Sequence, residues 1–219
     1  MKYKAVIFDM DGTLLDTLKG ITDSVNLAFE QLGYSVRHDY KTAKHFIGAG
    51  ALEFVRRAMK GMDITDKQAQ EIGEHFLDNY LHLQGPLSVP FPGIIDLLND
   101  LKKSGYYVCI ASNKPQHLLD NVVLDKFPDF KFDAVLGQRN GIPEKPNPYV
   151  IEEIEHLFNI TNNDCLYIGD SEYDYLTAKN ANIDCMIVKY GYGFYDEPFM
   201  NNVTYSVNDV DDIRKILLK

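Results

Sequence analysis

Residues 4–13 read Lys4-Ala5-Val6-Ile7-Phe8-Asp9-Met10-Asp11-Gly12-Thr13, an apolar run that stops abruptly at two aspartates and a glycine. A strand with one face in water would alternate apolar with polar residues. This one does not, so it belongs in the middle of a parallel sheet covered on both faces. Its acidic end then falls beyond the carboxyl ends of the strands, where open α/β sheets gather their ligands.

Working outward, similar runs recur at Tyr107–Ala111, Asp133–Leu136, Cys165–Ile168 and Cys185–Val188. Amphipathic stretches separate them at Gly93–Lys103, Pro115–Lys126, Pro148–Phe158 and Tyr173–Asn180. Strand alternating with helix predicts an α/β fold, a Rossmann-like, doubly wound parallel sheet. The alternation fails between Thr17 and Gln84, where only helical periodicity is visible. It runs through Ile21, Val25, Ala28, Phe29 and Leu32, then Leu52, Val55 and Met59, then Ile72, Phe76, Tyr80 and Leu83. We therefore expect a catalytic core at 1–16 and 88–219 and an inserted α-helical cap domain at 17–87. The Pro- and Gly-rich GPLSVPFPG (85–93) reads as the returning linker, and the crossings near Leu15–Thr17 and Gly85–Pro90 as a hinge.

Bulk properties narrow the function. The 219 residues carry 22 Lys+Arg against 32 Asp+Glu, a net charge of -10. Such a chain repels nucleic acid and anionic membranes at long range, so neither is an expected partner. A small anionic substrate needs a local positive pocket to offset that field. The N-terminal apolar run is too short for a secretory signal or a transmembrane span. Cys109, Cys165 and Cys185 are odd in number and lie inside strand-like runs, which predicts buried inert thiols and a cytoplasmic setting. A monomer or homodimer is expected.

The residues just beyond the strands share one chemistry. After the first come Asp9, Asp11, Gly12 and Thr13; after the second, Ser112, Asn113 and Lys114. Lys145 precedes a later helix, and Asp170 and Asp174 come after the fourth strand. Carboxylates gathered this densely call for a hard divalent cation such as Mg²⁺, which favours one or two carboxylates plus phosphate oxygens. Ser112, the amide of Asn113 and Lys145 suit phosphate oxygens. Gly12 permits a tight turn that brings backbone amides toward a phosphate. Of the first pair, an ionised carboxylate can attack phosphorus, and its neighbour two residues on can pass a proton to and from the reacting oxygens.

The ordered set DMDGTLLD, ASNK, EKPNP and GDSEYD closely resembles the four motifs of the haloacid dehalogenase-like superfamily, across nearly the whole chain. That resemblance implies a Mg²⁺-dependent phosphatase acting on a small phosphorylated metabolite through a phosphoaspartate. It makes Asp9 the nucleophile and Asp11 the general acid/base, with Gly12, Thr13, Ser112, Asn113 and Lys145 around the phosphate. Asp9, Asp11 (through its carbonyl) and Asp170 would bind the metal, with Asp174 supporting them. The helical insertion matches the cap of the phosphoglycolate phosphatase-like branch. Gly48, in the cap stretch Phe46-Ile47-Gly48-Ala49-Gly50, and Arg56 are the cap residues expected to meet substrate. Lys114 reads as peripheral, and the tyrosine-rich stretch 190–195 as a packed loop. Sugar phosphomutases of the superfamily place a cap histidine after the first motif, where this chain has Asp16-Thr17-Leu18-Lys19-Gly20. That favours a phosphatase; a sugar phosphomutase, pyrophosphatase or nucleotidase chemistry, and a regulatory binding module are the alternatives.

Overall fold

The computed structural model describes residues 2–218. The decisive run forms β1, Ala5–Phe8, with all four residues buried. Next come a two-residue strand β2, Leu15–Asp16, and four helices: α1 Leu18–Gln31, α2 Tyr40–Ala43, α3 Ala51–Ala58 and α4 Asp66–Leu87. Strand β3, Val89–Pro90, pairs antiparallel with β2 (Leu15 opposite Pro90), so both crossings expected as a hinge lie side by side in one short ribbon. The rest alternates: α5 Ile94–Lys103, β4 Tyr107–Pro115, α6 Gln116–Lys126, β5 Ala134–Gln138, α7 Tyr149–Phe158, β6 Cys165–Gly169, α8 Glu172–Asn180, β7 Asp184–Val188, β8 Tyr205–Val207 and α9 Val210–Leu217.

The main sheet has the order β5-β4-β1-β6-β7-β8, and every pairing is parallel. Alternation within each buried strand feeds two cores. Val6, Phe8, Val108, Ile110, Leu166 and Ile168 face the side packed by Leu97 and Leu101 of α5 and Ile213 of α9. Ala5, Ile7, Cys109, Ala111 and Tyr167 face the opposite side, against Ile151 and Ile154 of α7 and Ala178 of α8. Apolar burial on both faces explains the unbroken hydrophobic runs. The three cysteines are free and buried, as expected; burial pushes the Cys109 thiol up to about 12. Among the described residues no helix is long and apolar enough to cross a membrane.

Residues of α1, α3 and α4 enclose a third core of Ile21, Val25, Phe29, Phe54, Phe76 and Tyr80, which Leu118 of α6 joins. Thr65 caps α4 reciprocally with Gln68, fixing where that helix begins. Three expectations need correction. Leu52 does not join the apolar face but is 71% exposed, because α3 turns Phe54, Val55 and Ala58 inward instead. Helix α4 does not stop at Gln84 but carries Pro86 in its last turn. So close to the end, a proline forfeits one backbone bond and the chain leaves at once for β3. Finally, β8 and α9 extend the sheet layer beyond the strand and helix runs read from the sequence.

Candidate active site

Strand β1 is central, with β4 on one side and β6 on the other. The ends of these three strands therefore define the crevice. At the end of β1 the chain curls tightly, with the N–H groups of Leu14 and Leu15 both donating to the Met10 carbonyl at 3.0 Å. Gly12 sits in this curl at φ +87°, and a Cβ there would collide with the Asp170 carboxylate and the Tyr192 ring. Only glycine meets both demands. At the end of β4 the pairing with β5 shifts register between Ala111 and Pro115, which frees Ser112, Asn113 and Lys114 from the regular ladder.

Lys145 is the hub. Its ammonium donates to Asp9 Oδ1 at 2.9 Å, to Asp174 Oδ1 at 2.8 Å and to the Tyr167 hydroxyl at 2.9 Å. Asn113 clamps its backbone from both ends: Oδ1 accepts from Lys145 N at 2.8 Å, and Nδ2 donates to Lys145 O at 3.1 Å. The Asn113 side chain is thus committed to holding Lys145 in place. Burial works against the Lys145 charge, but Asp174 and Asp9 outweigh it and hold the group well above the usual lysine range.

Asp9, Asp170 and Asp174 can each turn a carboxylate oxygen to within 4.8 Å of the others, and all three are buried. Burial pushes the Asp9 carboxyl up to about 6, with Asp174 and Asp11 adding to the rise and Lys145 opposing it. Burial, then Asp174 and Asp9, drive Asp170 well above the carboxylate range. Lys145 pairs with Asp9 and Asp174 but not with Asp170; fully ionised, the three carboxylates would exceed that one ammonium by two negative charges, the charge that a divalent cation carries. The donor set is all oxygen, which suits a hard ion. Asp174 is the member least free to ligate. Its Oδ2 accepts from Asp170 N, Ser171 N and Ser171 Oγ at 3.1, 3.0 and 2.7 Å, and its Oδ1 from Lys145.

The other expected residues divide. The Asp11 carboxylate stands apart from that cluster and pairs with Lys114 at 3.1 Å. Asp11, Ser112 and Gly48 line one cleft with Asp9 and Lys145, a cavity of about 60 Å³, room for a small molecule. The Gly48 carbonyl also accepts from Asn113 Nδ2 at 3.4 Å. Thr13 is not in the cleft: the curl after Met10 seals it inside, fully buried, and its Oγ1 has no partner among the described residues. Arg56 is not there either, because it lies on the outer side of α3 with its side chain 77% exposed, paired to Glu53. Arg56→Ala should accordingly leave kcat/KM within about twofold of the native value in a steady-state assay, since exposed pairs contribute little. A larger loss would return Arg56 to the site.

Two groups read as marginal in the sequence are central here. Lys114 is buried, contacts Asp11 and the Tyr80 hydroxyl, and lies over the Tyr80 ring at 4.2 Å. Burial lowers its pKa, and Asp11 offsets that only in part. Tyr192, in the tyrosine-rich loop, donates its backbone N–H to Asp170 Oδ2. Its hydroxyl accepts from Thr17 N and Leu18 N and donates to Asp16. The loop is packed, as expected, yet it also links Asp170 to the start of α1. Arg57, next to Arg56, donates to the Tyr173 hydroxyl at 2.8 Å, joining the helical insert to the first turn of α8.

A profile of the haloacid dehalogenase-like hydrolases matches residues 6–188. The chain belongs to that family. Among haloacid dehalogenase-like relatives, the phosphoglycolate phosphatase of Psychrobacter arcticus is 29% identical over all of this chain and 97% of its own length. That of Colwellia psychrerythraea is 30% identical over 89% of this chain and 88% of its own. The crystal structure of a protein assigned as a phosphoglycolate phosphatase from Lactobacillus delbrueckii subsp. bulgaricus superposes with a TM-score of 0.88 at 32% identity, over 100% of both chains.

Proposed function

We propose that this hydrolase is a Mg²⁺-dependent phosphatase that cleaves a small phosphomonoester by way of a phosphoaspartate on Asp9, with residues 17–87 acting as a cap over the cleft. The observation that carries the reading is the unbalanced carboxylate cluster around Lys145. Asp9 is pinned through Oδ1, so Oδ2 is the oxygen left to attack phosphorus. Asp170 and Asp9 would hold the ion, while Asp174 fixes Lys145 and the Asp170–Ser171 backbone. When bound, Mg²⁺ supplies the charge that keeps Asp9 ionised and draws electron density from the phosphate.

In that scheme Ser112 takes a phosphate oxygen, Lys145 takes another in exchange for its bond to the Tyr167 hydroxyl, and Asp11 serves the leaving oxygen. Asp11 first gives the departing alkoxide a proton; it then removes one from the water that splits the acyl phosphate. Lys114, 3.1 Å from Asp11, holds its carboxylate toward the reacting atoms. The apolar wall of Ile21, Ile47, Phe54 and Phe76 keeps bulk water out of the cleft. The named relatives make phosphoglycolate the first substrate to try.

Phosphate release from a panel of phosphomonoesters, with Mg²⁺ and with chelator, tests this reading. We expect release that falls to background, at least roughly 1,000-fold, on chelation and returns with added Mg²⁺. Turnover indifferent to chelation would overturn the metal assignment, and no release from any ester would overturn the function.

A further inference from the structure

Three separate stretches of chain meet where the helical insert leaves the sheet layer, and one side chain joins them. The loop after β7 runs tight against Asp170. A Cβ on Gly191 would strike the Gly12 carbonyl and the Asp170 side chain, and one on Gly193 would strike the Asp170 carbonyl. Between these glycines, Tyr192 donates its backbone N–H to Asp170 Oδ2. One oxygen of that carboxylate is therefore fixed, and the loop sets the direction in which the other meets a cation.

The buried side chain of Tyr192 reaches the hinge. Its hydroxyl accepts from Thr17 N at 2.6 Å and Leu18 N at 2.9 Å, and donates to Asp16 Oδ1 at 2.7 Å. Those residues run from the end of β2 to the first residue of α1. Thr17 holds the N-cap position of α1 but makes no side-chain cap bond, and its Oγ1 has no partner among the described residues. The first helix of the insert is thus capped from the sheet layer, by a hydroxyl 174 residues away in the chain. Across the ribbon, Ser88 N bonds back to Gly85 of its own helix, and Ser88 Oγ has no partner among the described residues. The outgoing crossing is the one that this loop grips.

We propose that Tyr192 is a positioning residue that couples occupancy of the cation site at Asp170 to the seating of the helical cap. A cation on Asp170 restrains the loop through the Tyr192 N–H. The Thr17 and Leu18 amides can open only when the Tyr192 hydroxyl moves aside, so the restrained loop holds the crossing in its closed geometry. By linkage a seated cap must tighten the cation site to the same degree. The proposal rests on the Mg²⁺-dependent phosphatase reading above and adds the path by which the cation acts on the cap.

Amide hydrogen exchange at Thr17 and Leu18, with and without saturating Mg²⁺, tests it in native protein and in Tyr192→Phe. The substitution keeps the ring and the backbone N–H on Asp170 and removes only the hydroxyl. In native protein Mg²⁺ should slow exchange at both amides by roughly fivefold or more. In Tyr192→Phe exchange should be faster and indifferent to Mg²⁺, and the Mg²⁺ dissociation constant from equilibrium dialysis should rise about 2- to 10-fold, the range for one lost hydrogen bond. A merely structural tyrosine would speed exchange equally in both conditions and preserve the Mg²⁺ effect, and that result overturns the proposal. So does native protein that binds Mg²⁺ with no change at Thr17 and Leu18, an arm that decides even if Tyr192→Phe does not fold. Native protein that takes up no Mg²⁺ overturns the metal reading itself, and the coupling with it.

Discussion

Asp9→Asn removes turnover, by roughly 10,000-fold or more in kcat, and leaves the fold in place. The amide keeps the shape of the carboxylate and still offers an oxygen to Lys145, but it cannot attack phosphorus. Stability gives a second readout. The Asp9 carboxyl is raised to about 6 in the folded chain, chiefly by burial, from an ordinary value of 3.8. Between those values the native state binds more protons than the unfolded one, so metal-free stability falls as pH rises through that window. Asn does not titrate, and its substitution removes this penalty. Without metal at pH 7, Asp9→Asn should therefore unfold at the same denaturant concentration as native protein or a higher one. Near-native turnover in Asp9→Asn would sink the nucleophile assignment.

Lys145→Met costs both activity and stability. The ammonium is the only cation within hydrogen-bonding reach of Asp9 and Asp174, both buried, among the described residues. Removing one partner from a buried ionic cluster costs about 3–5 kcal/mol, because uncompensated charge stays behind. For a chain of this size that is a fall in Tm of roughly 10 °C. Added Mg²⁺ should recover part of the loss in the variant by neutralising the same carboxylates. Turnover should still fall, since Lys145 positions Asp9 and meets the phosphate. Thermal unfolding with and without Mg²⁺ checks this; an unchanged Tm in metal-free protein would mean that Lys145 is not the hub.

The sheet and the strand-end residues could be read because their signals are local. Four buried strands give unbroken apolar runs, and Asp9, Ser112 and Asp170 simply come next in the chain. The edge strand β8 is three residues long, too short for a run, and it hid α9 behind it. What the sequence concealed at the site depends on contacts between distant segments. Lys114 looks like any charge before a proline until Tyr80, 34 residues earlier, is brought over it. Tyr192 meets Asp170 only when the loop after β7 folds back across the strand ends. Arg56 and Thr13 fail in the opposite sense, because residue type carries no information on which side of a helix or turn a side chain will fall.

The central claim is a covalent one, and acid quenching tests it most directly. Protein mixed with a radiolabelled phosphomonoester and Mg²⁺ is quenched during turnover, digested and mapped by peptide. The mechanism predicts label on the peptide containing Asp9, released by hydroxylamine as an acyl phosphate should be, and absent from Asp9→Asn. Full phosphate release with no label on protein, or label on a peptide lacking Asp9, would contradict it.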